Sequence, residues 1–69
     1  MSVEDRVKEI LKEMDITIGD DITEEQFRIL VNKYKERYAE MFAKYGDEVA
    51  EESASSLVRF LATEIVYSE

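Results

Sequence analysis

The sequence predicts an all-α fold, a short first helix packed on a long antiparallel helical hairpin, over about residues 3–14, 24–45 and 47–67. Three observations lead there. The chain has no Pro and only two Gly, so the residues that most often interrupt helices are nearly missing. Those glycines, Gly19 and Gly46, divide the chain into three stretches, and in each the apolar residues recur at intervals of three and four. Sixty-nine residues hold one core, so 1–69 is read as a single helical domain.

The first stretch opens at Ser2 with Asp5 three residues on, a variant of the capping box. Val3, Val7, Ile10, Leu11 and Met14 then share one helical face. Residues 15–23 form a connection whose β-branched alternation has no second strand to pair with, so Ile16, Ile18 and Ile22 are expected to plug the end of the core. Thr23 and Gln26 form a capping box for the second helix. Phe27, Val31, Tyr34, Tyr38, Met41 and Tyr45 follow at alternating spacings of four and three, a heptad seam that Leu30 and Phe42 widen. Gly46 suits a helix end, and Asp47 is expected to cap the third helix. There Ala50, Ala54, Leu57, Leu61 and Ile65 mark the buried stripe, flanked by Val58 and Ala62. Small residues early in this helix face bulky ones late in the second, which suits close antiparallel packing.

Composition narrows the function. With no Cys and no His, the chain lacks disulfides, thiolate metal ligands and the commonest general base, so neither an enzyme nor a cofactor or metal site is expected. A net charge of −8 opposes phosphate backbones and anionic membrane surfaces, so direct nucleic-acid binding is not expected. No stretch approaches the ~18 apolar residues of a membrane span, and the start is acidic rather than apolar. A cytoplasmic protein is the expectation.

Residues 7–30 resemble an EF-hand, the helix–loop–helix calcium motif. With Asp15 as the first loop position, Ile22 falls on the apolar eighth, Val7, Leu11 and Met14 lie in the entering helix, and Phe27 follows the twelfth. The resemblance implies two helices about a calcium loop. The ligand positions depart from it, however: Asp15, Thr17, Gly19 and Gln26 stand at positions one, three, five and twelve, and Asp20 stands where the motif needs Gly. Gln26 supplies no bidentate carboxylate, so calcium binding is not expected. The opening run Val3–Leu11 is similar to the first helix of acyl carrier proteins, which carry a prosthetic arm on the Ser of an Asp-Ser-Leu motif. Here the nearest analogue, Ser56-Leu57, follows Ser55 inside the third helix.

Two surfaces remain as candidates. The first helix is too short to cover the whole hairpin, which leaves Tyr38, Met41, Phe42, Tyr45 and Val49 as a candidate face for a protein partner or for self-association. The second is acidic: Asp20, Asp21, Glu24, Glu25, Asp47, Glu48, Glu51 and Glu52. Residues 1–23 carry a net −4, 24–45 a net +1 and 46–69 a net −5. In size and charge the chain is similar to small acidic helical inhibitors from phages, which implies an alternative role as an antagonist of a nucleic-acid-binding protein. The leading expectation is a non-enzymatic interaction module acting through its aromatic and Met face.

Overall fold

In the computed structural model, which describes residues 2–68, three helices follow one another: α1 (Val3–Glu13), α2 (Glu24–Tyr45) and α3 (Asp47–Tyr67). α1 is half the length of its neighbours. The expected mismatch of rods is therefore present, and α1 packs on both arms of the α2–α3 hairpin.

Each boundary has a local cause. Ser2 Oγ accepts from the Asp5 backbone N–H at 3.1 Å and caps α1. The far end of α1 closes in a Schellman motif, in which the Ile16 N–H donates to Leu11 O at 2.9 Å and the Asp15 N–H to Lys12 O at 3.0 Å. Asp15 holds the left-handed conformation this requires, with φ 62°. Ile16 and Leu11, both buried, make the accompanying apolar contact. The connection then tightens on itself: the Thr17 N–H donates to the Asp21 carboxylate at 2.7 Å, and Ile18 and Ile22 form an isolated bridge. Ile16 and Ile22 are buried and Ile18 half-buried, so the isoleucines do plug the core end.

α2 opens with the full capping box. The Gln26 N–H donates to Thr23 Oγ1 at 3.0 Å, and the Thr23 N–H donates to Gln26 Oε1 at 2.8 Å. At the hairpin corner Gly46 has φ 92° and ψ −177°, a region that side-chain-bearing residues avoid. One residue there serves both helices. The expected cap of α3 is corrected: Gly46 takes the N-cap position, Asp47 is the first residue of the helix, and no side chain caps it. The Asp47 carboxylate instead accepts from the Tyr38 hydroxyl.

The core comprises Val7, Ile10 and Leu11 of α1, Phe27, Leu30, Val31 and Tyr34 of α2, and Ala54, Val58 and Ala62 of α3, closed by Ile16 and Ile22. The α3 stripe is rotated from its expected centre. Ala50, Ala54, Val58 and Ala62 are its buried line, four residues apart, while Leu57, Leu61 and Ile65 are only half-buried. The reason is that α3 meets two helices at once. Small side chains let both α1 and α2 approach closely, and the leucines fall on the shoulder away from α1.

Candidate functional site

Two rows of side chains define the groove in which α1 lies. On α2, Arg28, Val31, Lys35, Tyr38 and Phe42 follow each other at spacings of three and four, so they share one side of the helix. On α3, Asp47, Glu51, Ser55 and Arg59, each four residues from the next, do the same. α1 occupies the lower part. Glu4 pairs with Arg28 at 2.7 Å and Glu13 with Arg59 at 3.0 Å. Arg6 donates to Ser55 Oγ at 3.5 Å and to Glu9 at 2.9 Å, and its Nε lies 3.4 Å from the Glu51 carboxylate. Burial works against the Arg6 charge, yet the Glu9 and Glu51 carboxylates hold its pKa above the ordinary arginine value.

The short connection from α1 to Thr23 predicts that α1 lies beside residues 24–35 and 58–68. It reaches further along α3, to Ser55 and Glu51, with its N-terminal end towards the corner. Beyond its N-terminus the groove is open. An open cleft of about 400 Å³ lies there, lined by Ser2, Val3, Arg6, Tyr34, Tyr38, Asp47 and Glu51.

The candidate partner face divides accordingly. Tyr34, Tyr38 and Phe42 form a continuous stack, with ring centroids 6.2 and 5.7 Å apart and planes within 25° of parallel. Tyr34 is buried, Tyr38 half-buried and Phe42 51% exposed, so the stack runs from core to solvent. Tyr45 is 63% exposed at the corner. Met41, one heptad from Tyr34, is half-buried on the seam that faces α3. Val49 is 43% exposed but does not join the others. It stands nine residues from fully buried Val58, about 180° in helical phase, and so faces away from the core. Donation to Asp47, with some desolvation, raises the Tyr38 pKa above the usual phenol value.

The acidic set divides too. Asp20, Asp21, Glu24 and Glu25 lie at one end of the hairpin, and Asp47, Glu48, Glu51 and Glu52 at the other. The 22 residues of α2 separate them by about 30 Å. Asp21 is engaged by its own loop and Glu24 and Glu25 lie in the first turn of α2, where acids favour the helix dipole. Among the described residues, seven of the eight (Asp20, Asp21, Glu24, Glu25, Asp47, Glu48 and Glu52) form no ion pair, and Glu51 pairs with Arg6. No group of three or more acids is placed to hold a metal ion among the described residues.

Three features escaped the reading of the sequence. Arg6 was not singled out, although its spacing of three from Val3 places it at the edge of the core stripe. Phe60 and Ile29 are both exposed. Phe60 stands off the predicted α3 stripe and Ile29 off the α2 seam, and those registers were the available signals. No helix of the described residues is long and apolar enough to cross a membrane. Compared with known families, curated proteins and solved structures, the chain matches none, so its own residues carry the functional argument.

Proposed function

We propose that this protein is a non-enzymatic interaction module that binds a protein partner at the α2–α3 corner, through Phe42, Tyr45, Tyr38 and the edge of Met41. The observation that carries this reading is the open end of the aromatic stack. Phe42 and Tyr45 stay exposed beside half-buried Tyr38, and aromatic side chains in that setting supply large contact area at low entropic cost. Val49, turned away from the core, stands outside that face.

A second reading has its own support, the acids at the two ends of the hairpin that lack ion-pair partners. On that reading Asp20, Asp21, Glu24, Glu25, Asp47, Glu48, Glu51 and Glu52 imitate phosphates and occupy a nucleic-acid-binding protein. Such a complex weakens steeply with salt, whereas an aromatic interface barely responds.

Photo-crosslinking separates the face from the rest of the surface. A benzophenone amino acid is placed at position 42 in one variant and at position 60, also exposed and on α3, in another. Adducts of a single species at 42 and none at 60 are expected in host extract. Equal labelling at both positions, or none at 42, overturns the reading.

A further inference from the structure

We infer that the open stretch of the α1 groove receives a basic amphipathic helix from a partner protein, laid in line with α1 beyond its N-terminus. This inference rests on the proposed interaction face and names its occupant. The groove does not end where α1 ends. On one wall the row that meets α1 continues into Tyr38 and Phe42. On the other, beyond the Arg6–Ser55 contact, Glu51 and Asp47 line the open cleft, with Glu48 and Glu52 exposed beside them in the first turns of α3. An incoming helix therefore meets rings on one side and carboxylates on the other.

α1 itself shows the pairing rule. Its Arg6 lies against Glu51 from within the groove, and a base on the incoming helix repeats that contact at Glu48 and Glu52. The open ring of Phe42 adds a face suited to apolar or cationic side chains. Lys44 stands two residues from Phe42, about 200° round α2, and so points away. The covered length is modest, since the last two turns of α2 span about 10 Å, which fits a helix of two to three turns.

Charge decides against a second copy as occupant. Each chain carries −8, and a copy seated on this corner brings a second set of Asp47, Glu48, Glu51 and Glu52 towards the first. A nucleic acid is repelled by the same four groups.

The test is an NMR titration of the full chain with two synthetic amphipathic helical peptides, alike in their Leu face and carrying either Lys or Glu on the flank. The Lys peptide is expected to shift Tyr38, Phe42, Glu48 and Glu52 signals and to weaken about tenfold between roughly 0.05 and 0.3 M salt. Phe42→Ala should weaken it about tenfold, and the double change Glu48→Lys with Glu52→Lys should transfer preference to the Glu peptide. Equal binding of both peptides at Phe42 overturns the basic partner but leaves the interaction face standing. Shifts confined to other surfaces overturn both. Absence of binding by either peptide overturns the inference, as does a dimer in sedimentation that Phe42→Ala abolishes.

Discussion

The two ends of the hairpin are built from similar side chains and are used in opposite ways. At the end near the α1–α2 connection, Phe27, Leu30 and Val31 are sealed by α1 and by Ile16 and Ile22. At the corner, Tyr38, Met41, Phe42 and Tyr45 continue the same heptad seam, but α1 has already stopped. Apolar residues on one helix face are therefore not equivalent. Whether they stabilise the fold depends on how far the neighbouring element reaches, and an α1 of 11 residues beside an α2 of 22 leaves the corner end open.

That contrast can be broken or sharpened by substitution. The largest effect is expected at the sealed end, where Leu30→Ala should cost about 2–5 kcal/mol of stability in denaturant unfolding. Phe42→Ala at the open end should cost about 0.5 kcal/mol or less, and a loss equal to that of Leu30→Ala would erase the distinction. Gly46→Ala should cost about 1–3 kcal/mol. Nothing lies within 4 Å of the added Cβ, so the penalty is backbone strain rather than collision. Smaller and of opposite sign is Asp15→Gly, expected to raise the unfolding midpoint by an amount worth about 0.5–1 kcal/mol, because glycine takes the left-handed cap position without penalty.

The smallest effect concerns pH. Donation to Asp47 raises the Tyr38 pKa in the folded state, so its contribution is present below the unfolded phenol value near ~10 and is lost as pH rises through the folded value. Absorbance titration of tyrosinate should show a late component that disappears in Tyr38→Phe. Unchanged titration in that variant would detach Tyr38 from Asp47.

Much of this molecule was legible in the residue order. Apolar spacing, the Thr23–Gln26 box and Gly46 placed all three helices, and their unequal lengths followed from the same signals. What escaped has two physical origins. The Asp15 cap was hidden because Asp tolerates the left-handed region less well than Gly and so does not announce it. The rotation of the α3 stripe was hidden because leucines outweigh alanines in any hydrophobic count, whereas close approach of two helices selects the alanines.

By itself, then, the sequence determined which segments are helical, where they stop, and that one rod is too short, since these are properties of neighbours along the chain. Only the tertiary structure decided that the N-terminal end of α1 points towards the corner, that Val49 faces away from the core, and that the acids form two groups at opposite ends. Those facts depend on how separate helices dock, through contacts such as Arg6 with Ser55 and Arg59 with Glu13 that join residues more than 40 positions apart. Local periodicity carries no record of such pairings, because many dockings bury the same apolar stripe and only the mutual fit of the side chains selects among them.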